Sequence, residues 1–348
     1  MNLLDMPMLP LRRILYWMSL TELFLISFTS DKLRYVIAHL LFDAYMDLTA
    51  KKGEFEFEIH ANDPRKKLRI TTKYPFMPCT EKKFRVMIGD QEMKLSLIYE
   101  HPTDKTFVYF KKKYVGKMIT IGMPYIVELF GPREINLYVS IRKMQKFIPP
   151  MYVTRMTIPD KRVKASQVEA ILAKITVNHH LRIANKVTGK FPLNTRLTTM
   201  RQLQTCQKWM KPEHILNFEG EHGSFAHTQF RDEHIIAFLR KWISGKYPLL
   251  ATYMVHTKHR FSPSNVVGQF DTRPWDPSKR ARHYPNLSET CLSMEKWRLQ
   301  SVFDCDVGYD IVGKNGLLAT FKMNSNHFFF FVWFNRFPKR VGNHVVNE

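Results

Sequence analysis

The chain has 348 residues, room for two domains or for one small module beside a larger one. Hydrophobic residues make up 45% and charged residues 24%, which excludes an intrinsically disordered chain and provides for a substantial core. Lys and Arg number 53 against 31 Asp and Glu, a net charge of +22 that draws polyanions, although its spread along the chain favours a solvated basic surface.

Residues 7 to 48 read as helices. Pro10 suits a first helical turn, where its missing N–H has no partner to lose, and Leu11, Ile14, Leu15 and Met18 follow at helical spacing. Ser19 and Glu22 form a capping-box pattern for a second helix carrying Leu20, Leu23, Phe24, Ser27 and Phe28. Ser30 can cap a third with Leu33, Val36, Ile37, Leu40 and Leu41.

At Lys51-Lys52-Gly53 the period changes. Residues 54 to 59 alternate apolar and charged, and Leu68/Ile70/Thr72, Phe84/Val86/Ile88, Met93/Leu95/Leu97 and Phe107/Tyr109 repeat the period of two. Turn residues such as Asn62-Asp63-Pro64 and Gly89-Asp90 separate some of them, so 54 to 110 is expected to be a run of strands. Residues 135 to 139 read as a further strand, and Ser166 with Glu169 as a capping box opening a helix to about residue 174.

Short strand-like cores then recur at Leu181-Arg182-Ile183, Leu203-Gln204-Thr205, Phe225-Ala226-His227 and Leu250-Ala251-Thr252. Their spacing of about 22 to 25 residues is that of a leucine-rich-repeat solenoid, with a plain α+β domain an equal alternative. Arg231 to Ile243 is the clearest helix, with Phe230, Ile235, Phe238, Leu239 and Trp242 on one side and Gly245 and Pro248 beyond its end. Residues 262 to 286 hold four prolines and read as a long exposed loop. Residues 310 to 312, the turn around Gly313-Lys314-Asn315-Gly316, and residues 317 to 322 and 328 to 334 read as closing strands.

Little points to catalysis. Cys79, Cys206, Cys291 and Cys305 are scattered, no signal peptide is expected, and reduced thiols in a cytoplasmic or nuclear protein fit best. His256-x-x-His259, His222 with His227, and His179-His180 lack partners at a metal-ligand spacing, and no nucleotide-loop or serine-nucleophile motif occurs. No cofactor or metal is expected, and no membrane span. The rival to a protein-binding role is nucleic-acid binding through Lys/aromatic patches at 105–117 and 273–283. These hold Lys105-Thr106-Phe107-Val108-Tyr109-Phe110-Lys111-Lys112-Lys113-Tyr114 and Arg273-Pro274-Trp275 with Lys279-Arg280-Ala281-Arg282.

The N-terminal residues Leu9-Pro10, Ile14-Leu15 and Met18, then Leu23, Phe24 and Phe28, resemble an F-box. Leu33 falls where many F-boxes have Trp, Arg34 supplies a basic residue after it, and Asp31 stands where a basic residue is usual. Residues 18 to 25 are close to the large nematode family of these proteins. Residues 209 to 216, 232 to 245 and 310 to 320 are similar to that family's type 2 F-box-associated domain.

The resemblance implies an α+β chain. It would comprise a three-helix F-box at 7–48, a strand-rich region at 52–145 and a mixed α/β F-box-associated domain at 146–348. It further implies a non-catalytic, substrate-recruiting subunit of a cullin-based (SCF-type) ubiquitin ligase. Such a subunit binds a Skp-type adaptor, itself held on the cullin scaffold. Leu9, Pro10, Ile14, Leu15, Met18, Leu23, Phe24, Phe28 and Leu33 are the candidate adaptor contacts.

Overall fold

In the computed structural model the described residues are 5–40, 42–51, 54–63, 66–74, 79–100, 105–144, 148–184, 186–206, 209–285, 302–341 and 344–346. Leu41, Pro64 and Cys291 lie outside them. The chain is a mixed α/β protein of two compact units, 1–158 with 170–176, and 159–169 with 177–348.

The first unit opens with three helices, α1 (Met8–Trp17), α2 (Leu20–Ile26) and α3 (Asp31–Ala38). The Ser19 capping box is formed. Ser19 Oγ accepts from the Glu22 amide at 3.2 Å, and the Ser19 amide donates to the Glu22 carboxylate at 2.8 Å. Ser30 Oγ accepts from the Lys32 amide.

The helical reading of 7–48 fails beyond Ala38, because β1 (Ala44–Lys51) is a strand. Ala44, Met46, Leu48 and Ala50 are buried with a period of two, and the strand lies between an antiparallel and a parallel neighbour. A boundary near residues 48 to 52 therefore falls within a hairpin.

The expected run of strands follows as β2 (Glu54–Ala61), β3 (Lys67–Thr71), β4 (Cys79–Ile88), β5 (Gln91–Glu100) and β6 (Lys105–Phe110), with β3 parallel to β6. After them come α4 (Val115–Lys117), α5 (Met123–Phe130), β7 (Glu134–Val139), α6 (Ile141–Met144) and β8 (Met151–Ile158). Gly131 closes α5 at φ 49°, a left-handed conformation that a residue with a Cβ disfavours. The strand order in this unit is β8-β7-β1-β2-β3-β6-β5-β4. Helix α2 packs on β3 and β6, and α3 on α5.

The second unit contains β9 (Arg162–Lys164), β11 (Lys186–Thr188), β12 (Gln202–Thr205), α8 (Pro212–Leu216), β13 (His222–Thr228), α9 (Asp232–Ile243) and β14 (Thr252–Thr257). The division between units runs through α7 (Ala165–Leu172) and β10 (Ile175–Ile183). Ser166 sits inside α7 instead of capping it, and Glu169 accepts from the Thr195 hydroxyl. Strands β10, β12, β13 and β14 run parallel, each beside the next.

Leu181 pairs with Leu203, Leu203 with Gly223 and Gly223 with Tyr253, steps of 22, 20 and 30 residues. The step lengthens where α9 is inserted. One side of these strands is apolar and takes α9: Phe238 stacks on Tyr253 at 4.1 Å, and Trp242 meets Phe330, which pairs with Tyr253 from the next strand beyond β14, edge-on at 5.0 Å.

Residues 262–286 are not a plain loop. They hold α10 (Pro263–Val267), β15 (Arg273–Pro274) and β16 (His283–Pro285), and Tyr284 and Arg280 are buried. The unit continues with β17 (Val302–Asp304), β18 (Tyr309–Val312), β19 (Leu318–Met323) and β20 (His327–Trp333), then the hairpin β21 (Lys339–Val341) and β22 (His344–Val346). Strands β14, β20, β19 and β18 are antiparallel neighbours in that order, and Gly316 takes φ 77° in the expected turn.

Candidate partner-binding face

Helix α1 is apolar on both sides. Leu11 and Leu15 are fully buried on one. At 100° per residue the other side carries Leu9, Pro10, Arg13, Ile14, Tyr16 and Trp17. Leu9 is 79% exposed, Trp17 73%, Tyr16 56% and Ile14 39%. Tyr16 is held from below: the Lys66 ammonium lies 3.7 Å from its ring centre and donates to its carbonyl. On α3, Tyr35 is also exposed, its ring tilted against His39 at 4.1 Å.

The nine expected adaptor contacts therefore separate. Leu9, Pro10 and Ile14 face solvent, and Met18 and Phe28 are half-buried. Leu15, Leu23, Phe24 and Leu33 belong to the chain's own core, which corrects their reading as a surface for a partner. Three short helices bury too little area to stand alone, so they settle on the neighbouring strands and α5.

Phe24 meets Phe28 edge-on at 4.9 Å, and Phe28 stacks on Tyr125 of α5 at 5.2 Å. Ser27 Oγ lies 2.7 Å from the Tyr125 hydroxyl, whose pKa burial raises. Tyr16 and Trp17 were not among the expected contacts. The signal that finds Trp17 is its spacing from Arg13 (i, i+4) and Ile14 (i, i+3), a second stripe beside the one ending at Met18.

The two basic-aromatic stretches present only part of their expected rings and cations: Tyr114 and Trp275 are half-buried. In the first, Phe107, Val108 and Phe110 are buried and Tyr109 is half-buried against Tyr74, leaving Lys111, Lys112 and Lys113 exposed. In the second, Arg280 is fully buried. Its Nε donates to both Asp310 oxygens at 2.9 Å, its Nη atoms donate to the Ala281 and Cys305 carbonyls at 2.9 Å, and it lies over the Trp333 ring at 4.9 Å. Thr320 donates to Asp310 and accepts from Trp333 Nε1, completing the network. Arg282 pairs with Asp304 at 2.6 Å and Asp306 at 2.8 Å. Asp304 is accordingly held below the usual carboxylate range, first by its hydrogen bond from Arg282.

The histidines and Cys305 are similarly accounted for. Burial is the main cause that pushes the Cys305 thiol up to about 12. His222 Nδ1 lies 2.8 Å from Thr252 Oγ1, while its Nε2 faces Glu221 at 3.3 Å; the hydrogen bond from His222 is the largest cause holding Glu221 down to about 2. Rings of His227, His256 and His327 form a row, 4.8 and 4.7 Å apart. Among the described residues no group of three or more His, Cys, Asp or Glu is placed to hold a metal ion, and no helix is long and apolar enough to cross a membrane.

The chain is similar to the uncharacterized protein F59B2.9 of Caenorhabditis elegans, with 20% identity over 365 residues that cover 97% of this chain and 80% of that protein. No protein-family model and no solved structure matches it.

Proposed function

We propose that the chain is a non-catalytic, substrate-recruiting F-box subunit of an SCF-type ubiquitin ligase, docking a Skp-type adaptor through the outward face of α1. The observation that carries this reading is a helix with apolar residues on both sides, one side in the core and the other in water. The F-box wording of residues 9 to 28 gives that uncovered face its partner: an adaptor whose helices pack against it, with the cullin beyond. The second unit, whose wording resembles an F-box-associated domain with repeat-like parallel strands, would hold the target. The chain's contribution to the reaction is then proximity, raising the local concentration of the target's lysines near the conjugating enzyme. This places its work in the cytoplasm or nucleus.

Each large apolar side chain newly buried at such a dock contributes about 1.5–3 kcal/mol. The test is co-expression with a Skp-type adaptor followed by co-purification. The intact chain should form a complex, and Leu9→Ala with Trp17→Ala should abolish it while leaving the melting temperature of the chain unchanged. Retention of the complex by the folded double variant, or failure of the intact chain to bind any such adaptor, would overturn the reading.

A further inference from the structure

A second face, in the other unit, has the opposite chemistry. Strands β9 and β11 form a two-stranded parallel sheet in which Arg162 is paired with Lys186, Val163 with Val187 and Lys164 with Thr188. Val163 and Val187 are buried, at 2% and 5% exposure, and anchor the pair to the unit. The alternation of a strand then turns Arg162, Lys164 and Lys186 to the other side, where all three are exposed. Lys161 and Lys190, which flank the strands in sequence, are exposed as well.

Like charges directly opposite each other across a strand pair are destabilising, and Arg162 with Lys186 is such a pair. Several cations elsewhere in the molecule meet carboxylates, as Arg155 does Glu134 at 2.7 Å and Arg133 does Asp43 at 2.9 Å. No ion pair among the described residues includes Arg162, Lys164 or Lys186.

We infer that this face binds an acidic polypeptide segment. Arg162 and Lys164 are two residues apart on a strand, a spacing of about 6.6 Å. An extended segment with a carboxylate at every second position has the same period, so successive charges can be met in step. A nucleic acid fits less well. Strands β9 and β11 themselves contain no aromatic residue on which a base could stack, and a few cations neutralise too few phosphates for firm sequence-independent binding. The inference is independent of α1, and stands whether or not an adaptor docks there.

The test uses the full chain and two fluorescent peptides, one alternating Glu and Ser and one alternating Gln and Ser, with a single-stranded oligonucleotide matched in charge to the first. The Glu peptide should bind and the Gln peptide should not. Combined Arg162→Glu, Lys164→Glu and Lys186→Glu should weaken binding by about tenfold or more, since each contact becomes repulsive. Combined Lys82→Glu, Lys83→Glu and Arg85→Glu, the same change in net charge on exposed residues of the first unit, should stay within about twofold, since none of these residues belongs to the β9–β11 pair. Equal weakening by both sets would mean attraction by overall charge alone and would overturn the inference, as would tighter binding of the oligonucleotide at the β9–β11 face. Glutamine replacements at 162, 164 and 186 keep the test decisive if the reversed chain fails to fold: loss of peptide binding by the folded Gln chain supports the site, and unchanged binding refutes it.

Discussion

Helix α1 and strand β20 are both dense in large apolar residues, yet they meet opposite fates. In β20, Phe328 to Trp333 are at most 7% exposed, covered by α9 on one side and by Tyr284 and Phe303 on the other. In α1, the core takes Leu11 and Leu15 and leaves Leu9, Tyr16 and Trp17 in water. A strand between two layers has neighbours for both faces; a helix at the rim of a unit has them for one. Apolar density in a sequence therefore predicts burial only where the fold supplies two layers. Where it supplies one, the remainder stays exposed, and on α1 the proposed adaptor would cover it.

The contrast predicts that changes inside β20's surroundings cost stability, and changes on α1's outer side cost binding alone. The largest effect should come from Arg280→Ala. It strands the buried Asp310 carboxylate and removes a cation from the Trp333 face, at a cost of about 3–5 kcal/mol in urea unfolding. Replacing both charges, Arg280→Met with Asp310→Leu, should cost clearly less than the single change, since no lone charge is left in the core. Phe330→Ala should cost about 3–5 kcal/mol by opening a cavity beneath Phe238 and Trp242.

Trp17→Ala should move stability by no more than about 0.5 kcal/mol and weaken adaptor binding by about 2 kcal/mol or more, read by titration calorimetry. A large stability loss at Trp17 would dissolve the distinction between the two regions. Between these extremes lies Ser19→Ala, which removes the cap that starts α2 and should cost about 1 kcal/mol.

The local signals were legible in the sequence. Ser19 with Glu22, the alternation at 54 to 59, Gly245 beyond α9 and the Asn-Gly turn before β19 each involve residues a few positions apart, and each appears in the structure. What was not legible depends on distant partners. Arg280 looks like an exposed cation until Asp310, Cys305 and Trp333 surround it. Residues 44 to 50 carry a period of two, but Met46 and Leu48 also continue a helical-looking apolar run, and only pairing with β2 and β7 decides for a strand. The candidate site was half legible. Leu9 and Ile14 stood out, whereas the assignment of Leu23 and Phe24 to the core required knowing that β3, β6 and α5 lie beneath them.

The smallest expected effect tests the zone between inside and outside. His256 pairs in register with His327, faces His227 and Lys258, and is half-buried. Burial is the first cause that holds it down to about 4 from an ordinary 6.5, with repulsion from His327, His227 and Lys258 adding to it. An unfolded chain therefore takes a proton at this position near pH 6.5 while the folded chain resists until about pH 4. Stability from this group is present above pH 6.5 and is lost progressively as the pH falls toward 4.

Glu221 acts in the same direction in a lower window, from about 4.5 down to about 2, so the two can be separated. In His256→Asn the side-chain oxygen can still accept from the His227 amide, but the titration is gone. The urea midpoint of this variant should change less than that of the intact chain between neutral pH and pH 5, and an unchanged slope would show that His256 is as open to water as Trp17.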